Sequence, residues 1–314
     1  MSIQNQRTVF GQLTQMYQLM LHWNQLDSTL PASLGNMGGP MAINLARAGC
    51  DITVFDLDRS KIDRVAEAGA KAGDDGTSVA AGADVLFTSF PEPRHVAAAV
   101  PALIDAMPPG SIWVDLTTND RELLLELEAR AAARGVSILE APVTGAVDGA
   151  RTGRLTFFVG GDQDVLARVL PFFEIMGRVV ACGPLGTGNV VKLITNQVWF
   201  INAAAIGESL VLGKKAGVDL EVLWDALKKS VGDTWVVRHD VPSIFAGHYD
   251  PSFSLDLCTK DLGLIAELAG EVGTALPITE TAHRRFEEAA ARYGSAAAEL
   301  HVVKQLEEDA NLSM

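Results

Sequence analysis

The sequence predicts an α/β domain built on a parallel sheet, followed by an all-α domain joined to it by a long helix. Three observations predict this. Short β-rich runs alternate with helical patterns over residues 51–182, the β signal fades after Gly183, and a helical pattern runs from Gly188 to about Ala216. The strand runs are Asp51–Asp56 (DITVFD), Asp84–Ser89 (DVLFTS), Ser111–Leu116 (SIWVDL), Val136–Leu139, Leu155–Val159 and Arg178–Cys182. Between them lie helical stretches such as Arg121–Arg134 and Gln163–Met176, the alternation expected of a parallel sheet covered on both faces. Beyond the long helix, helical runs fall near Leu220–Lys229, Asp256–Ala269 and Glu280–Tyr293, punctuated by Pro242, Pro251 and Pro277. The expected organisation is an atypical N-terminal segment over 1–30, an α/β domain over 31–185 and a helical domain over 186–314.

Composition narrows the partners. A chain of 314 residues has room for about two domains, and 48% hydrophobic with 20% charged residues is a folding composition, not a disordered one. Asp plus Glu number 39 against 25 Lys plus Arg, a net charge of −14 that repels phosphate backbones. Nucleic acid and anionic membrane are therefore not expected as partners, whereas a small carboxylate needs only a few local donors. No uninterrupted apolar run approaches the roughly 18 residues of a membrane helix. Cys50, Cys182 and Cys258 are odd in number and far apart, which points to a reducing, cytoplasmic setting without disulfides. The histidines and cysteines form no H-E-x-x-H or C-x-x-C motif, so no zinc is expected. Residues 1–26 carry one Arg and no acid, with Phe10, Leu13, Tyr17 and Met20 at helical spacing. A peripheral amphipathic helix is the first reading; a mitochondrial transit peptide is the alternative, although such peptides are usually Arg-rich.

Four segments carry chemistry. Ser33–Gly49 (SLGNMGGPMAINLARAG) has the spacing of a dinucleotide-binding turn, G-x-G-x-x-G, with Ser33, Gly35 and Gly38 in the glycine places and Asn36 and Met37 between. Such a turn lets a pyrophosphate approach the backbone at a helix N-terminus. The segment ahead of it, DSTLPA, contains Pro31 and lacks the apolar run of a central strand. Asp56 supplies the missing support. It ends DITVFD 18 residues after Gly38, where a carboxylate can accept from ribose hydroxyls and repel a 2′-phosphate, favouring NAD over NADP. Next, Thr144-Gly145-Ala146, within Glu140–Gly161, offers backbone amides and a hydroxyl suited to a carboxylate, or simply a turn. In Gly183–Asn196, Lys192 and Asn196 stand at i and i+4 on one helix face within the apolar stretch VVKLITN. Finally, Lys260-Asp261 opens a helical run and reads by itself as surface charge.

Taken in order, these segments resemble the β-hydroxyacid dehydrogenase family over about Leu34 to Tyr293. The resemblance implies a Rossmann domain followed by a helical domain, with Gly35–Gly38 holding the dinucleotide and Asp56 selecting NAD. It places Thr118, the last residue of Asp115-Leu116-Thr117-Thr118, near the nicotinamide, and Lys260 among the cofactor residues. Thr144, Gly145 and Ala146 become the substrate loop, Lys192 the catalytic base and Asn196 its assistant. The implied reaction interconverts a small 3-hydroxy acid, 3-hydroxyisobutyrate first, with its semialdehyde. Tartronate semialdehyde or sulfolactaldehyde-type reduction is the alternative, and imine reduction is disfavoured because Lys192 is retained. A scaffold without turnover is the non-enzyme alternative. A homodimer or homotetramer through the long helix is also implied. The chain departs from the family at the first strand, at Ser33, and at Thr144 and Ala146, where Ser and Gly are usual.

Overall fold

The computed structural model describes residues 34–314. The expectations for the N-terminal helix and for DSTLPA lie outside the described residues. Two compact units emerge, divided between Lys192 and Leu193, inside the long helix.

The first unit alternates strand and helix. A π-helical turn (Leu34–Gly38) runs into α1 (Gly39–Arg47) and is followed by β1 (Thr53–Val54), α2 (Arg59–Ala66), β2 (Lys71–Ala72) and α3 (Gly76–Ala81). Then come β3 (Val85–Thr88), α4 (Pro93–Ala106), β4 (Ile112–Asp115), α5 (Arg121–Ala133), β5 (Ser137–Glu140) and β6 (Val143–Thr144). The unit ends with α6 (Ala146–Thr152), β7 (Leu155–Gly161), α7 (Gln163–Met176), β8 (Gly177–Gly183) and the first turns of α8 (Thr187–Lys215).

β3, β4 and β5 pair in parallel, with Val85 opposite Ile112 and Ile112 opposite Ser137. Period-two alternation sends their side chains into two cores. Phe87, Val114 and Leu139 face one core, with Met41 and Leu45 of α1, Ile62 of α2, and Phe172 and Phe173 of α7. Leu86, Trp113 and Ile138 face the other, with Val96, Val100 and Leu103 of α4 and Leu124 and Leu127 of α5. This is a parallel sheet covered on both faces, as the apolar runs predict. One margin departs from that pattern: β7 runs antiparallel to β5 and β6, and β8 then pairs with β7 in parallel. Among the described residues β1 and β2 form a separate parallel pair.

The second unit holds the rest of α8, α9 (Leu220–Lys228), a π-helical turn (Val236–Asp240), α10 (Val241–Phe245), α11 (Leu255–Glu271), α12 (Pro277–Tyr293) and α13 (His301–Asp309). By length and composition α8 could cross a bilayer. Here its residues Phe200, Ala203, Ile206 and Leu210 instead pack with Val237, Leu262, Phe286 and Val303 in the core of this unit.

Candidate active site

In the first unit, the loops that carry chemistry follow the C-terminal ends of parallel strands, where open α/β sheets bind ligands. Asp56 lies two residues past β1 and is buried, held by a backbone donor and a nearby lysine. Asp56 Oδ1 accepts the backbone N–H of Asp58 at 2.8 Å, and Oδ2 faces Lys61 Nζ at 3.8 Å. Burial pushes its carboxyl up to about 6, against the lowering pull of the Asp58 N–H and Lys61. Gly35–Gly38 differs from the open turn its spacing suggests. These residues wind as a π-helical turn continuous with α1. Neither the turn nor the first turn of α1 contains an acid, and Gly38 and Gly39 are buried without side chains. A helix N-terminus free of acids, with a carboxylate at the next strand end, is a donor and acceptor set that fits a dinucleotide's pyrophosphate and ribose.

Past β4, Asp115 organises the next loop. It is fully buried and accepts from Thr88 Oγ1 at 3.0 Å, Thr117 N at 3.2 Å and Asn119 Nδ2 at 2.9 Å. Burial pushes its carboxyl up to about 6 in spite of those bonds. Thr117 Oγ1 in turn accepts Phe90 N at 3.0 Å, which fixes the backbone beside the half-buried Thr118. Past β5, Thr144 ends β6, Gly145 takes φ 122° and Ala146 takes φ 53°. The second of these is a left-handed conformation that glycine adopts without strain and alanine does not. This is the physical reason for a glycine at that place, and Ala146 accepts the strain.

Lys192 is 8% exposed, in the second turn of α8. The start of that helix is capped from the sheet. Glu140, the last residue of β5, accepts Gly188 N at 2.8 Å and Asn189 N at 3.1 Å, together with the Asn189 side-chain amide. Asn189 Oδ1 accepts Asn119 N at 2.7 Å, joining the Asp115 loop to the same helix end. The approach is close enough to require glycine: a Cβ on Gly188 would lie 2.4 Å from the carbonyl oxygen of Phe158. Desolvation raises the Glu140 carboxyl, and its three donors hold it down.

In the second unit, Asn196 is 3% exposed and donates through Nδ2 to Asp261 Oδ2 at 2.6 Å. Lys260 Nζ meets Asp261 Oδ1 at 2.8 Å. Lys260-Asp261 is therefore not surface charge, since Asp261 is 1% exposed and gathers two expected site residues on one carboxylate. Sequence reading missed Glu140, Asn189, Asp115 and Asp261 as organisers. The one available signal was the position of Glu140 and Asp115 at the ends of strongly apolar strand runs, where an acid must find partners.

A parallel sheet, the carboxylate of Asp56 just past β1 and a lysine-bearing helix leading into a helical unit are the features of a dinucleotide-dependent dehydrogenase. Residues 32–184 match the family described as the NAD binding domain of 6-phosphogluconate dehydrogenase. Residues 186–306 match the NAD-binding domain of NADP-dependent 3-hydroxyisobutyrate dehydrogenase. The 2-(hydroxymethyl)glutarate dehydrogenase of Eubacterium barkeri is 33% identical over 259 residues, covering 81% of this chain and 86% of that protein. The 3-hydroxyisobutyrate dehydrogenase of Pseudomonas aeruginosa is 35% identical over 264 residues, covering 81% and 89%. A structure of Mycobacterium tuberculosis 3-hydroxyisobutyrate dehydrogenase with L-serine superposes with a TM-score of 0.83 at 29% identity, covering 93% of this chain and 99% of that one. The chain belongs to the β-hydroxyacid dehydrogenase family and is an NAD(P)-dependent hydroxyacid dehydrogenase.

Proposed function

We propose that the chain oxidises a small 3-hydroxy acid of the 3-hydroxyisobutyrate type to its semialdehyde, with NAD preferred over NADP. The observation that carries this reading is the burial of Lys192 one turn beyond the Glu140-capped start of α8. The relatives' names support the substrate class. 3-Hydroxyisobutyrate, serine and 2-(hydroxymethyl)glutarate all carry a primary alcohol on a carbon attached to the carboxylate-bearing carbon, and differ in the third substituent. A site for that shared headgroup needs a carboxylate binder, a base for the hydroxyl and a hydride acceptor. Thr144, Gly145 and Ala146 supply the amides and the hydroxyl for the carboxylate. When bound, the dinucleotide supplies the hydride acceptor. Lys192 takes the hydroxyl proton as the carbinol C–H leaves with its electron pair, and returns that proton to the carbonyl oxygen in reduction. An amine can take that proton in oxidation and give it back in reduction, the two halves of general acid–base catalysis. Asn196, one turn along α8, is set in orientation by Asp261 and holds the substrate oxygen or the lysine amine. The preference for NAD rests on Asp56, whose buried carboxylate would meet a 2′-phosphate as a like charge.

Lys192→Ala tests the mechanism. Turnover of NAD with 3-hydroxyisobutyrate, L-serine and related acids should fall at least about 10²-fold while NADH binding persists. The oxidation rate of the native protein should rise through an alkaline limb that the variant lacks. Near-normal turnover by the variant would overturn the assignment.

A further inference from the structure

The helical unit holds three carboxylates that the dehydrogenase site does not use. Asp240 closes the π-helical turn ahead of α10, Asp250 lies in the loop between α10 and α11, and Glu299 stands just before α13. Asp240 and Glu299 are each 3% exposed, and Asp250 is half-buried. One oxygen of each lies within 4.8 Å of the other two. Asp240 Oδ2 accepts the Trp199 indole N–H at 3.0 Å, and Asp250 Oδ1 accepts Ser252 N at 3.0 Å. Glu299 differs: its Oε2 is buried with no hydrogen-bond partner among the described residues, and its carboxylate is turned toward the two aspartates. Its neighbours in the cluster, Asp240 and Asp250, are both acids and bring no counter-charge. A buried carboxylate without a donor or a counter-charge is costly, so this cluster calls for a positive occupant or for protons.

We propose that Asp240, Asp250 and Glu299 form a binding site for a hard divalent cation, with calcium the best match. The donors are all oxygens, which selects calcium, magnesium or manganese over zinc or copper. Calcium accepts an irregular shell of about six to eight oxygens, whereas magnesium demands a near-ideal octahedron and gives up its waters reluctantly, so three carboxylates from separate segments suit calcium better. Buried Glu299 supplies the inner ligand, and half-buried Asp250 leaves the outer side open to the waters that complete a shell of about six to eight oxygens. Such an ion would fasten the neighbouring turn ahead of α10 and α10–α11 loop to the entry of α13, which is remote from both in sequence. Its role is structural and independent of hydride transfer. The sequence hid this site because its acids are scattered and none sits in a metal-binding motif.

The test uses the full chain, stripped with EGTA and titrated calorimetrically with CaCl2 or MgCl2 at about pH 7.5, where carboxylate ligands are available to metal. One calcium per chain should bind, with magnesium at least about tenfold weaker, and calcium should raise the unfolding temperature to a plateau. Glu299→Gln and Asp250→Asn should each weaken calcium binding at least about tenfold with an unchanged circular dichroism spectrum. Asp250, at the open edge, keeps the test decisive if the Glu299 variant fails to fold. Absence of calcium binding up to about 10 mM, with a flat unfolding temperature, would mean that protons occupy the cluster and would overturn the proposal. So would equal affinity for magnesium, or calcium binding that neither substitution alters.

Discussion

Asp56 gives cofactor binding a pH signature that can be worked out from its surroundings. The group is 2% exposed, and burial holds its carboxyl up to about 6. Only the ionised form presents both oxygens as acceptors to a ribose diol; the protonated form commits one to its own proton. The acceptor form then makes up about ten elevenths of the protein at pH 7 and about one eleventh at pH 5, and an apparent dissociation constant scales inversely with the competent fraction. The dissociation constant for NAD should therefore rise about tenfold from pH 7 to pH 5. An ordinary aspartate, near 3.9, would stay over about nine-tenths ionised at pH 5 and change binding by only about a tenth. The assay is tryptophan-fluorescence or calorimetric titration with NAD across that range at fixed ionic strength, alongside Asp56→Asn, whose curve should be flat. Stability has a sign of its own. The folded-state value lies above the unfolded one, so the folded chain holds this proton longer. The contribution is fully present below about pH 4, is lost as pH rises through about 6, and is absent in the variant. A dissociation constant that does not move between pH 7 and 5, or a tenfold rise that persists in Asp56→Asn, would refute the reasoning.

Two further substitutions probe the first unit. Ala146→Gly relieves a left-handed alanine at about 1–2 kcal/mol while adding about 0.5–1 kcal/mol of unfolded-state entropy, so thermal unfolding should rise by about 1–3 °C; a fall would show that the φ of Ala146 carries no strain. Glu140→Gln leaves one side-chain oxygen where a carboxylate now serves three donors, so at least one buried N–H loses its acceptor, at about 1–3 kcal/mol. Calorimetry should show unfolding several degrees lower with reduced turnover, and an unchanged unfolding temperature would contradict the capping role.

Much of this architecture can be read from residues whose burial and periodicity agree. DVLFTS and SIWVDL contain β3 and β4 because every side chain in Val85–Thr88 and Ile112–Asp115 is buried, which demands a continuous apolar run. The extent of α8 follows in the same way from its unbroken apolar pattern. β2 and β6 leave no such trace, being two residues long and exposed or half-buried, so neither period nor hydrophobicity marks them. Nothing in LTFFVGG states that β7 runs antiparallel to β5; pairing with β6 and β5 decides that. The site divides on similar lines. Asp56 and Lys192 announce themselves through strand-end position and apolar surroundings, whereas Glu140 and Asp261 act on partners 48 and 65 residues away. A carboxylate's long-range partner is invisible until the chain is folded.

The cap that Glu140 places on α8 also bears on how the protein breathes. Helix ends ordinarily fray, and their first amides trade protons with water ahead of the rest of the fold. Here the amides of Gly188 and Asn189 terminate on the last residue of β5, which is itself paired to β4. Their protons reach solvent only when that end of the sheet lets go. In native-state hydrogen exchange the opening turn of α8 should thus report the slow kinetics of the sheet, and the turn carrying Lys192 inherits the same protection instead of sampling open states on its own.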